Sequence, residues 1–479
     1  MNEPLGFTRR QALLGSGCGF GYLALADLAA RAAGGVSAAS ADPLAPKTPP
    51  LPMRAKRVIF LFMQGGVSHV DSYDHKPLLD KEDGQAHPFD DDRALANRGV
   101  RGTSHRIMKS RWKFSQYGQS GRPVSELFPH TAQHADDLCF VHSLHTEGIA
   151  HGPATLFLHC GSTSFVRPSM GSWITYGLGT ENENLPGFVS IGPSNGNGGP
   201  RNYGTAFLPA VYQGTALGKA GAPAREATFH DLVNADPDRA AQRRQLDFLQ
   251  DLNARQAAAR PGDSELEAVI NSYELGWRLQ QHAPEVLDIG RETPETMALY
   301  GIGQKETDNF GRQCLLARRL CESGVRYIQV TYGDSSANPA WDQHSNIEKH
   351  AIHAKAVDQP IAGLLADLKR RGLLEDTLVW WGGEFGRTPY AERNGTGRDH
   401  NPRGFTMWLA GGGVKPGFAY GQTDEFGHLA VENKVHMHDL HATILHLLGL
   451  NHERLTFRYA GRNFRLTDVF GQVVHPILA

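Results

Sequence analysis

The five cysteines contain no C-x-x-C pair, and Cys18 falls in the N-terminal leader, so the remaining Cys139, Cys160, Cys314 and Cys321 form no disulfide framework by spacing. Cys314 and Cys321 stand seven apart on a predicted helix and so share one face, where they are expected in the core. Charge of either sign is scarce in excess: the formal net charge is −2 and the pI near 6.9. That excludes the basic surface by which a protein holds nucleic acid. Beyond the N-terminus there is no apolar run long enough to cross a bilayer, so no membrane span is expected in the mature chain. No repeat of 20–50 residues is evident. Oligomeric state is not legible from these features.

At its start the chain carries what those exclusions leave open. Thr8-Arg9-Arg10-Gln11-Ala12-Leu13-Leu14 places paired arginines before an apolar, glycine- and alanine-rich stretch. Residues 1–41 resemble a twin-arginine signal, which implies export and a periplasmic or extracytoplasmic location. Residues 42–54 are proline-rich and are expected to form a linker. The remaining chain, 55–479, is long enough for one large domain with insertions, or for two.

Apolar runs of strand length occur at Arg57–Met63, Asp137–Val141, Val325–Thr331, Thr377–Trp381 and Phe405–Ala410. Helical patterns lie between and after them, at 148–161, 310–323, 347–371 and 438–448. The alternation predicts an α/β fold, a mostly parallel sheet with helices on both faces. Residues of about 225–305 read as a helical insertion, in which Leu266, Val269, Ile270, Tyr273 and Trp277 recur at spacings of three and four and are expected to pack inward.

Three polar clusters follow three of the strands. Asp71 and Asp74 follow the first; Asp334, Asp342 and His344 follow Val325–Thr331; Glu384, Arg387, Asp399 and His400 follow Thr377–Trp381. If those strands are parallel, the clusters meet at one edge of the sheet, where open α/β folds bind ligands. Carboxylates and imidazoles brought together there suit one or two divalent metals that polarise an ester oxygen or activate water. Each residue also has a plain structural role available: Asp71 as a helix cap, His344 as a loop histidine, Glu384 and Arg387 as a salt bridge.

The order of strands and clusters is similar to that of the alkaline phosphatase and sulfatase superfamily. More closely, the chain resembles an uncharacterised, twin-arginine-exported family within that superfamily. The matching stretches are SHVDSYDHKP (68–77), RPSMGSWITYGLGTENENLPGF (167–188), WDQHSN (341–346), GGEFGRTP (382–389), GRDHNP (397–402), LAGGGVKPG (409–417), DLHATILHLLGL (439–450) and GRNFRLTDVFGQVV (461–474). The resemblance implies an alkaline phosphatase-like core over 55–479 and a metal site of Asp342, His344 and His400, with Glu384 nearby and Asp71 or Asp74 in place of the superfamily's first aspartate, where this chain has Gln64. It implies a divalent metal, zinc or calcium, and a small-molecule or glycan ester substrate whose anionic group Arg387 pairs with. The family pattern also departs here: Glu384-Phe385 replaces an Asp-His pair, and His151-Gly152-Pro153 stands where the sulfatase Cys- or Ser-x-Pro motif would fall. His151 is then a metal ligand, a general base, a covalent phosphohistidine or an ordinary helix-end histidine. Two functions follow, a metal-dependent hydrolase of phosphate or sulfate esters and a non-catalytic binder of anionic glycans.

Overall fold

The computed structural model describes residues 42–89, 104–230, 232, 238–260, 263–336, 338–392 and 395–479. The expected signal, 1–41, lies outside them. Pro46–Ala479 form one compact unit.

Among the described residues, its centre is a sheet of nine strands. In chain order these are β1 (Arg57–Met63), β2 (Leu138–His145), β3 (Phe188–Ile191), β4 (Thr215–Leu217), β5 (Tyr327–Tyr332), β6 (Thr377–Gly382), β9 (Phe405–Ala410), β10 (Phe418–Tyr420) and β11 (Val435–His436). A separate hairpin, β7 (Gly386–Ala391) with β8 (Arg398–Asn401), interrupts them after β6. The spatial order is β10-β2-β9-β6-β1-β5-β3-β4, with β11 also on β2. β9 runs against its two neighbours β6 and β2, and every other pairing in the sheet is parallel. The fold is therefore α/β with a mixed, mostly parallel sheet.

The strands are apolar on both faces because both faces are covered. Ile59, Leu61 and Met63 of β1 and Val330 of β5 join one core with α5 (Asp308–Glu322) and α6 (His350–Arg370). Cys314 and Cys321 both lie in that core, on one face of α5 as their spacing required. Phe60 and Phe62 point the other way, toward His159 of α1 (His151–Cys160), and Phe188 packs under Gly171 of α2 (Met170–Leu178). The last helix, α7 (Met437–Leu447), is closed at its start by a reciprocal pair of hydrogen bonds in which the side chains of His436 and Asp439 accept from backbone N–H groups.

Two expectations change on this scaffold. The proline-rich stretch is not a free linker: from residue 46 onward it lies on the body, with Lys47 N donating to Leu178 O, Leu51 N to Gly449 O and Arg54 N to Leu447 O, each at 2.9 Å. The insertion contains α3 (Arg239–Ala259) and α4 (Ser264–Leu287), two long helices in a hairpin. Its apolar stripe does not all turn inward, because Ile270 and Trp277 are half-buried while Val269 and Tyr273 are exposed.

Candidate metal centre

The parallel register of β1 and β6 sets Phe62 beside Gly382, so the glycine turns that follow both strands lie side by side. Gly65 then donates its N–H to both oxygens of Glu384, at 3.0 and 3.1 Å. Only glycine can stand at 65: φ is +116°, and a Cβ there would lie 2.8 Å from the backbone nitrogens of Trp341 and Asp342. On the other side of β1, the loop after β5 folds back over the strand end, where Trp341 N donates to Gln64 O at 3.2 Å. Asp342 and His344 are thereby delivered above the glycine turns. The β7–β8 hairpin pairs Arg387 with His400 and brings the latter to the same point. His151 arrives from the first turn of α1, after β2.

One donor atom from each of His151, Asp342, His344 and His400 lies within 4.8 Å of the others. Asp342 Oδ1 is the hub, at 3.1 Å from His151 Nε2, 2.9 Å from His344 Nε2 and 3.4 Å from His400 Nε2. The opposite nitrogen of each ring is held from behind. His151 Nδ1 donates to Glu384 Oε1 at 2.6 Å, His400 Nδ1 donates to the Ile149 carbonyl at 2.9 Å, and His344 Nδ1 donates to Glu392. Held in this way, each ring turns its Nε2 to the common point, where either a proton directed at Asp342 or a cation in the proton's place satisfies it. His344 Nε2 and His400 Nε2 come to 3.0 Å of one another, a spacing that two lone pairs tolerate only with a cation or proton between them. Three imidazole nitrogens and one carboxylate oxygen, each imidazole braced by an acceptor behind it, fit the donor set of a divalent transition metal.

Electrostatics agree with this geometry. Burial would raise the Asp342 carboxyl, but hydrogen bonds from His151, His344 and His400 and the Arg387 guanidinium hold it well below the ordinary carboxylate range. Burial likewise pushes the imidazoles down. For His151 this is outweighed by hydrogen bonds with Asp342 and Glu384, and for His344 by those with Asp342 and Glu392, so both end above the usual histidine value. His400 stays low, at about 4.

The other candidate residues are placed differently. Glu384 is fully buried behind His151 and orients that ring instead of joining the four donors. Arg387 is also fully buried; its Nε donates to Gly66 O at 2.9 Å, Nη1 to Arg398 O at 3.1 Å, and Nη2 to Gly65 O and to Asp342 Oδ1, the last at 2.7 Å. The expected pairing of Arg387 with a substrate anion gives way to a role in fixing Asp342. Asp71 is not in the donor group. Its two oxygens accept from Arg398, Nε at 2.6 Å and Nη2 at 3.2 Å, and Ser68 Oγ adds a third bond. Asp74 pairs with Lys76 at 3.0 Å and with Thr423, and Asp334 closes its own loop through Ser336. Glu392, Arg398 and the Ile149 carbonyl were not singled out from the sequence. Glu392 sits in a turn-forming stretch with no pattern to mark it, and a carbonyl carries no sequence signal at all.

A family profile described as "Protein of unknown function (DUF1501)" matches residues 55–478. No curated protein matches the chain in sequence. Among solved structures, the chain is similar to TAB5 alkaline phosphatase, at 11% identity and TM-score 0.33, covering 83% of this chain and 99% of that one. It is also similar to the PsFucS1 sulfatase from Pseudoalteromonas sp., at 12% identity and TM-score 0.34, covering 84% and 68%. A third is the phosphonate monoester hydrolase SpPMH from Silicibacter pomeroyi, at 12% identity and TM-score 0.33, covering 73% and 71%.

Proposed function

The chain belongs to the DUF1501 family, and on that premise we propose that it is an exported metal-dependent hydrolase of phosphate or sulfate esters. The observation that carries this reading is the convergence of His151, His344 and His400 on Asp342, with every imidazole braced at Nδ1. The donor set favours zinc over calcium, which takes six to eight oxygens. A divalent ion held there supplies Lewis acidity toward an ester oxygen and toward water. The chain's own residues do the rest by position. Glu384 and Glu392 hold two rings in the ligating tautomer, and Arg387 keeps the Asp342 carboxylate ionised and pointed at the rings. His344 is the most exposed donor, its side chain 22% accessible against 3–8% for the others, and marks the side from which an ester reaches the site. That His151 has one nitrogen on Glu384 and the other facing Asp342 supports a ligand role over a nucleophilic one.

A second reading, a metal-holding protein without turnover that binds anionic glycans, is favoured by one feature. Four protein donors are as many as a closed structural zinc site would use, whereas catalytic zinc sites keep one position for water or substrate. The cavity of about 470 Å³ flanked by Arg122, His142 and Tyr420 has none of the four donors in its wall.

Metal analysis after zinc loading, followed by a panel of aryl phosphates, phosphodiesters and aryl sulfates, separates the two. The hydrolase reading expects about one equivalent of metal and turnover that disappears in His400→Ala. Metal without turnover on the whole panel supports the second reading. Substoichiometric metal under saturating supply sinks both.

A further inference from the structure

The α3–α4 hairpin carries an apolar strip that nothing among the described residues covers. Phe248, Leu249 and Leu252 on α3 and Val269 and Tyr273 on α4 are 40–64% exposed. The hairpin cannot bury them by collapsing. Its helices are already locked by Gln242 to Gln280 at 2.8 Å, by Arg243 to both oxygens of Glu274 at 3.0 and 2.9 Å, and by Gln250 to the Ile270 carbonyl at 3.0 Å. Leu246, buried on α3, lines a groove between the two helices with Leu249 and Tyr273, while Phe248 and Leu252 stand outside that groove.

We propose that the outer part of this strip, Phe248 with Leu252, is a self-association surface, on which α3 packs antiparallel against α3 of a second copy of the chain. The charge pattern selects that occupant and that orientation. Arg244, Phe248, Asp251 and Arg255 follow at spacings of four, three and four, so they share one face of α3. Arg244 and Asp251 are exposed, and among the described residues neither has an ion-pair partner. A two-fold axis crossing α3 between Asp247 and Phe248 sets Arg244 of each copy opposite Asp251 of the other, with Phe248 at the centre. A parallel arrangement would instead set Arg244 against its own equivalent and Asp251 against its own, which is repulsive at both ends.

Sedimentation velocity over about 1–100 µM tests this on the purified protein. The unmodified chain is expected to form a concentration-dependent dimer. Phe248→Asp and Arg244→Glu should each weaken it at least tenfold, with helix content unchanged by circular dichroism. The exchange Arg244→Glu with Asp251→Arg should restore it, because the same two contacts re-form with reversed signs. A monomer throughout the range overturns the proposal, as does a Phe248→Asp protein that still dimerises. So does a double exchange no better than the single one, since a partner of fixed charge or a membrane surface would not be rescued by it.

Discussion

Glu384 and Glu392 act on metal affinity through the rings they hold, and neither belongs to the four donors. Removing the charge of such an outer carboxylate costs ~10–100-fold in metal affinity. Glu384→Gln should therefore raise the zinc dissociation constant by about that factor in a chelator competition while the protein stays folded, since glutamine can still accept from His151 and Gly65. An unchanged constant would remove Glu384 from the site. Asp71 predicts the opposite pattern. Its carboxylate and the Arg398 guanidinium are both fully buried against each other, and deleting one partner leaves an uncompensated charge at a cost of about 3–5 kcal/mol. Asp71→Ala should lose roughly that much stability in urea while zinc stoichiometry after loading stays at the wild-type level. The types and order of Asp342, His344, Glu384 and His400 were legible because they follow strand ends. That Glu384 braces a ring, and that Asp71 belongs to Arg398, was not, because those partners are 233 and 327 residues away in the chain.

The β7–β8 hairpin is the element that turns a metal-binding composition into a geometry. Strand-length patterns mark β6 and β9 on either side of it, but between them the sequence shows only a polar cluster. Its pairing is short and bulged between Arg387 and Ala391, so alternation is too weak to show in sequence. What holds it over the site is a close backbone approach: a Cβ on Gly397 would fall 2.2 Å from the His344 carbonyl carbon. Gly397→Ala must push the hairpin away from His344, separating the His344 and His400 nitrogens. Zinc affinity is expected to fall at least as far as in Glu384→Gln, by tenfold or more, and to fall even if most of the melting temperature is retained. Gly152→Ala is the matched control, since a Cβ there meets nothing within 4 Å and the residue sits in α1 beside His151. It should leave affinity intact and alter stability by no more than about 1 kcal/mol, the alanine–glycine difference in helices.

For the molecule as a whole, buried neutral histidines set the response to acid. Burial lowers His142, His159 and His441 to about 4 in the folded chain, from 6.5. Below pH 6.5 the unfolded chain takes up protons at these positions while the folded one does not, so stability falls with pH until about 4, where the folded imidazoles also titrate. Each such group costs on the order of 1–2 kcal/mol by pH 5. Urea midpoints should therefore drop markedly between pH 7 and pH 5, and His441→Gln should flatten that slope. A flat profile would contradict the burial of these rings in the neutral form.

By itself the sequence determined the α/β alternation, which strand ends carry the chemistry, and the residue types there. These are local properties: strand and helix periods are written in neighbouring residues, and apolar runs are buried wherever the chain closes. Tertiary structure decided which carboxylate meets which cation. It set Arg387 inward on Asp342 instead of toward a substrate, paired Asp71 with Arg398, recruited Glu392 and the Ile149 carbonyl, and left Val269 and Tyr273 of the α4 stripe outside. Hydrogen bonds and ion pairs act over about 3 Å, so they depend on the register of β1 with β5 and β6 and on the return of the loops above them. No periodicity in the chain encodes distances of that size between residues hundreds of positions apart.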